Sequence, residues 1–276
     1  MNKVMYAAMI AVGTMAGLSA CTKKDEAVTS NTGESNEALN AMITKSVQED
    51  VDAATLHRGA MNSCNWENLL PACATVTESG DEYPIEIIID YGDGCEDNFG
   101  RVKSGQIVIN LTDEMLNEGA TRTVTFVDFS VDEATVEGSR VISNIGESTD
   151  GYPQFSREIN MSVTKFGYTF SRQFSGTATW LVGYDTSDCG DNVFELEGSG
   201  SCTRPNGVEV SRTIVEPLLI DRICGYITAG VVEVQAPMGT KTIDFGDGEC
   251  DSTAEVTGPN GQTNIIDLNN FGPNGG

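Results

Sequence analysis

The stretch TRTVTFVDFSVDEATVEGSRVISN, residues 121–144, decides the fold. Residues 121–131 and 134–144 are both rich in Val, Ile, Thr and Phe, which suit a pleated, half-buried surface. Only Asp132 and Glu133 separate them. So short a link joins antiparallel neighbours; parallel ones need a crossover of a dozen residues or more. Alternation inside the first run is broken, because Val124 and Phe126 do not share a register with Phe129 and Val131. Bulges, and some strands buried on both faces, are therefore expected. Ile107, Ile109 and Leu111 alternate cleanly by contrast.

Working outward, the same grammar runs from Cys73 to the C-terminal end. Short β-rich runs stand at 73–78, 84–91, 101–112, 121–131, 134–144, 154–164, 167–173 and 175–183. They continue at 192–199, 208–216, 224–236, 240–246, 252–257 and 262–268. Pro205-Asn206-Gly207 and Pro259-Asn260-Gly261 place Asn-Gly between runs, where it tolerates the positive φ of tight hairpins. No helix-length segment interrupts the series, so a parallel α/β sheet is excluded. The expectation is a mainly β protein: an antiparallel β-sandwich or partly open barrel, one domain over 63–268, with one N-terminal helix.

Charge narrows the function. The chain has 276 residues, 41 Asp plus Glu, 16 Lys plus Arg, one His and a net charge of −25. Nucleic acid is bound by Lys and Arg neutralising phosphates, so no nucleic-acid partner is expected. A basic patch on an anionic membrane is excluded on the same ground. His57 is the lone His and sits at the end of the expected helix, which leaves no room for a multi-His metal site. A 39% hydrophobic content is that of a folded chain.

The N-terminus addresses the compartment. Residues 1–20 hold one charge, Lys3, then an apolar run that ends in Leu18-Ser19-Ala20 before Cys21. That is a secretion signal rather than a membrane span. Leu-Ser-Ala-Cys resembles the lipobox of bacterial lipoproteins, and the resemblance implies that Cys21 becomes the acylated first residue. Loss of Lys3 takes the net charge from −25 to −26. Residues 21–36 form a polar tether in which Lys24-Asp25-Glu26 resembles the export signal of Bacteroidota surface lipoproteins. The implied location is the outer membrane with the chain exposed at the cell surface, the periplasmic face being the alternative. Residues 37–62 hold the helix, over 37–56, with Leu39, Met42, Ile43, Val47 and Val51 near one face. That stripe packs on the β domain or on a partner. Residues 269–276 read as a disordered tail.

An exported chain favours disulfides. Cys64, Cys73, Cys95, Cys189, Cys202, Cys224 and Cys250 remain after Cys21. Their placement around strands suggests Cys73–Cys95, Cys189–Cys202 and Cys224–Cys250, with Cys64 as the spare and Cys64–Cys73 as a competitor.

One motif occurs twice. Asp90-Tyr91-Gly92-Asp93-Gly94-Cys95-Glu96-Asp97 matches Asp244-Phe245-Gly246-Asp247-Gly248-Glu249-Cys250-Asp251. Glycines permit a sharp turn and Asp side chains bond local amides. Clustered carboxylates also suit calcium, which would draw on Asp90, Asp93 and Asp97 and on Asp244, Asp247 and Asp251. The spacing fails the EF-hand pattern, and the structural turn is the preferred reading. A third acidic turn, 185–191, is weighed the same way.

Together the lipobox, Cys73-Ala74-Thr75-Val76-Thr77, Val136-Glu137-Gly138 and the late Asp-Phe-Gly-Asp-Gly-Glu-Cys-Asp resemble a group of uncharacterised Bacteroidota surface lipoproteins. Asp-Phe-Gly-Asp-Gly is also similar to a turn in PKD-type immunoglobulin-like domains. Neither resemblance carries a site over. No Gly-x-Ser-x-Gly elbow, phosphate-binding loop or His-Glu-x-x-His occurs. The reading is a non-enzymatic binding, adhesion or accessory module, held to the membrane by its lipid and facing an extracellular ligand or envelope protein. The alternatives are a two-carboxylate glycan hydrolase and a structural part of an envelope assembly docked through 37–56. Trp180 lies in a strand pattern and reads as core.

Overall fold

A computed structural model of the chain describes residues 70–97, 100–186 and 191–268. Its strands in chain order are β1 (Thr75–Glu78), β2 (Ile85–Asp90), β3 (Cys95–Glu96), β4 (Val102–Leu111), β5 (Thr121–Val131), β6 (Ala134–Glu147) and β7 (Pro153–Lys165). Then come β8 (Tyr168–Val182), β9 (Val193–Thr203), β10 (Glu209–Asp221), β11 (Ile227–Ala236), β12 (Gly239–Asp247), β13 (Thr253–Thr257) and β14 (Thr263–Asp267). All belong to one 14-stranded antiparallel sheet that is not closed into a barrel. Sequence order is spatial order throughout, except that β3 turns back to pair with β4 beside β2.

The hairpins explain this meander. Asp132 and Glu133 both take the left-handed backbone, at φ 47° and 66°, and turn β5 directly into β6. Phe166-Gly167 does the same between β7 and β8, at φ 53° and 78°. Both Asn-Gly turns form as expected: Gly207 N–H donates to the Arg204 carbonyl and Gly261 N–H to the Gly258 carbonyl. Each link is too short to leave the sheet edge, so each strand pairs with its predecessor.

Several boundaries differ from the sequence reading: β6 runs on to Glu147 and β9 to Thr203, and the short β3 has no counterpart among the expected runs. The runs 167–173 and 175–183 are one strand, β8, with Gly176 inside it. Gly176 faces Gly198 of β9, and a Cβ at Gly176 would strike the Glu197 carbonyl. Here glycine marks close strand approach, not a break. β10 likewise runs on to Asp221 through a register shift between Thr213 and Leu218. The broken alternation in β5 is a bulge at Asp128, whose φ is 49°. Further shifts in β4–β5 and β10–β11 bend the sheet, and a bent sheet can bury one face against itself. The long strands bury alternate residues, with Ala178–Trp180 buried on both faces.

That buried face is one connected cluster, from Ile85, Ile87 and Ile89 through Phe129 and Trp180 to Leu218 and Ile220. Trp180 is fully buried, as expected of core, and its indole N–H donates to Asn192 Oδ1 at 3.0 Å. The expectations for residues 1–69 (signal, Cys21, tether, helix, His57 and Cys64) and for the tail 269–276 lie outside the described residues.

Candidate functional site

The two acidic turns share a local device. Gly92 N–H donates to Asp90 Oδ1 at 2.7 Å, and Gly246 N–H to Asp244 Oδ1 at 2.9 Å. In each, the first Asp of the motif accepts the amide two residues on, Asp90 at the end of β2 and Asp244 near the end of β12. The turn bond from Gly92 and then a bond from Gln106 hold the Asp90 carboxyl below its usual range. A disulfide flanks each turn as expected: Cys73–Cys95, with Cα atoms 5.6 Å apart, and Cys224–Cys250, at 5.5 Å. The first excludes the competitor Cys64–Cys73. Cys202 is disulfide-bonded too, whereas Cys189 lies outside the described residues.

Beyond the shared device the copies diverge. Asp97 is buried and bonds Arg101 Nε at 2.6 Å, with Lys103 Nζ at 3.5 Å. Lys103 in turn lies over the Tyr91 ring. Asp251 is exposed and accepts the Thr253 N–H at 2.7 Å and hydroxyl at 2.9 Å, which lower its pKa. Asp93 and Asp247 are exposed. Thus Asp90, Asp97, Asp244 and Asp251 are used locally, and among the described residues no three His, Cys, Asp or Glu side chains converge on a metal-sized space. In the third acidic turn, Thr186 donates its hydroxyl to Asp191 at 2.9 Å; residues 187–190 lie outside the described set.

The sheet also sorts charge by face, which the sequence reading missed. Residues directly opposite in neighbouring strands share a face. Arg140 of β6 stands opposite Val124 and Ile159, Arg157 of β7 opposite Ile142 and Gly176, and Arg212 of β10 opposite Gly200 and Val234. Arg122 of β5 stands opposite Leu111, and Arg172 of β8 opposite Met161 and Cys202. All five arginines therefore share the face of the core. Burial pushes Arg172 down to about 9, and the charges of Arg212 and Arg157 push the same way. Burial also lowers Arg212, to about 10. No Asp or Glu occupies an inward-facing position of β5 to β10.

The outward face of β7 to β10 is a polar groove of about 540 Å³. Two ladders line it. Glu158, Ser175, Ser199 and Thr213 form one; Asn160, Gln173, Ser201 and Ser211 form the other. Ser175 Oγ donates to Glu158 Oε1 at 2.6 Å. Between the ladders run the backbones of Ile159, Phe174, Gly200 and Arg212, and the side chains of Ile159, Phe174 and Arg212 take the other face. The signal was present as period-two hydroxyl residues in 171–177 and 197–203, but splitting β8 at Phe174 hid the alignment. Set against known proteins, the chain matches no family model, no curated protein and no solved structure.

Proposed function

We propose that the chain is a lipid-anchored, non-enzymatic binding module of the cell envelope, and that the groove across β7 to β10 holds a neutral, polyhydroxylated ligand such as a glycan. The groove carries this reading. Its volume falls within the usual range for ligand sites, roughly 300–1,000 Å³. Its eight lining side chains are hydroxyls, amides and one carboxylate. Hydroxyls and amides both donate and accept, which matches the mixed chemistry of sugar hydroxyls. Glu158 is the one carboxylate in the groove, whereas a two-carboxylate hydrolysis needs a second across the scissile bond. The lipobox at Cys21 and the Lys-Asp-Glu tether support anchoring at the outer membrane.

A glycan-binding screen with a hydrolysis readout tests the groove. Binding without turnover is the expected result; turnover that disappears in Glu158→Gln would replace it with the hydrolase reading. Labelling with a radioactive fatty acid, lost in Cys21→Ser, tests the anchor.

A further inference from the structure

The ladder of Asn160, Gln173, Ser201 and Ser211 does not end with the groove. On one side Ser139 of β6 stands opposite Asn160, and Thr125 of β5 opposite Ser139. On the other, Gln235 of β11 stands opposite Ser211, and Thr240 of β12 opposite Gln235. Eight successive strands, β5 to β12, thus present one unbroken row of uncharged hydroxyls and amides. The row ends against Val108 of β4, and at β12, whose pairing with β13 begins only at Thr242.

All eight side chains are half-buried or exposed. Among the described residues none of them makes a hydrogen bond. Elsewhere on the same face neighbouring side chains bond one another: Ser175 with Glu158, Thr121 with Ser143, Thr164 with Thr169. Carboxylates flank the row on both sides, Glu158 and Glu233 along one border, Glu137 and Glu209 along the other. They repel an anionic chain and accept hydroxyl protons from a neutral one.

Building on the glycan reading of the groove, we infer that the site is the whole row. Its ligand is an unbranched, uncharged polysaccharide that lies across the strands. The dimensions carry this. The groove crosses three strand spacings, ~14 Å, whereas the row crosses seven, ~34 Å. An extended chain of linked hexoses advances by about one strand spacing per sugar, so each strand offers one side chain to one sugar. Each such hydrogen bond is weak by itself, so affinity accumulates along the chain.

Calorimetric titration of the intact chain with linear α- and β-linked glucans and mannans, from trisaccharide to octasaccharide, tests this. The octasaccharide of the bound series should exceed its trisaccharide in affinity by at least ~10-fold. Ser139→Ala combined with Gln235→Ala alters the row on both sides of the groove. That variant should weaken the octasaccharide at least ~5-fold and leave the trisaccharide within ~2-fold. Thr177→Ala, on the same face but two positions of alternation away from Gln173, should leave both within ~2-fold. Equal affinities at the two lengths, or an octasaccharide insensitive to the double variant, would overturn the inference and leave the glycan reading of the groove standing. An equal loss in Thr177→Ala would also overturn it, because the contacts would then lie off the row. Binding at no length would overturn the inference and the glycan reading together.

Discussion

The two faces of β7 to β10 are made by residues adjacent in sequence, yet they are chemical opposites. Ile159 is buried beside Arg157, while Asn160 and Glu158 stand in the open groove. Phe174 shares the inward face with Arg172; Gln173 and Ser175 line the outward one. Alternation here separates more than polar from apolar. At the paired positions of these strands, cations point inward and carboxylates outward. Across these strands the negative charge therefore lies on the exterior, and the inward face carries the opposite sign. The lesson is that a sheet with period two can hold two incompatible surfaces in one run of sequence, one devoted to cohesion and one left for a ligand.

The largest expected break in this contrast is Trp180→Ala. The side chain is fully buried, ringed by Phe155, Phe194 and Tyr184. Its loss should cost about 3–5 kcal/mol in denaturant unfolding; a loss under ~1 kcal/mol would mean that the inward face is not a packed core. Next comes Asp97→Asn, which leaves Lys103 buried with one anion fewer. About 3 kcal/mol of destabilisation is expected, against no more than ~0.5 kcal/mol for Asn160→Ala on the outward face. Comparable losses in both would erase the distinction.

Acid should act through the turns rather than the faces. Asp90 and Asp251 have pKa values lowered from 3.8 in the folded chain. The folded state thus binds fewer protons than the unfolded state as pH falls through that region. The stability that these groups contribute is complete above the unfolded value and is lost as pH drops through the folded one. Asp90→Asn should flatten that part of the pH–melting curve; an unchanged acid limb would assign the loss to other carboxylates. The smallest effect belongs to calcium. With Asp90, Asp97, Asp244 and Asp251 engaged by backbone and side-chain donors, chelation should shift the melting temperature only slightly. A drop above about 10 °C would mean that the two turns hold a metal.

How much of this was legible in sequence depends on the range of the signal. Hairpins were readable because their chemistry is local: Asp132-Glu133 and the two Asn-Gly turns fall where left-handed backbone is required. Two disulfides were readable because their cysteines bracket strands: Cys73 and Cys95 stand on either side of β2, and Cys224 and Cys250 on either side of the β11–β12 pair. Strand length is not legible at Phe174, between the runs 167–173 and 175–183, because the continuity of β8 is set by its pairing with β7 and β9. The inward arginines and the polar ladders were invisible for a related reason. Each arginine sits at a different place in its own strand, and only the pairing register aligns Arg140 with Ile159 and Arg212 with Gly200. The repeated acidic motif attracted notice because it is compact, yet Asp90, Asp97, Asp244 and Asp251 serve their own turns. The groove drew none because its hydroxyls are dispersed over four strands.

The central claim is that the outward ladders of β7 to β10 receive a ligand, and calorimetric titration of the intact chain with a panel of neutral oligosaccharides tests it most directly. Ser199→Tyr serves as the partner variant, since tyrosine suits a strand and would fill the groove. The account predicts saturable binding to the unaltered chain that Ser199→Tyr abolishes, with stability changed by no more than ~0.5 kcal/mol. Binding that survives Ser199→Tyr, or no binding across the panel, would contradict it.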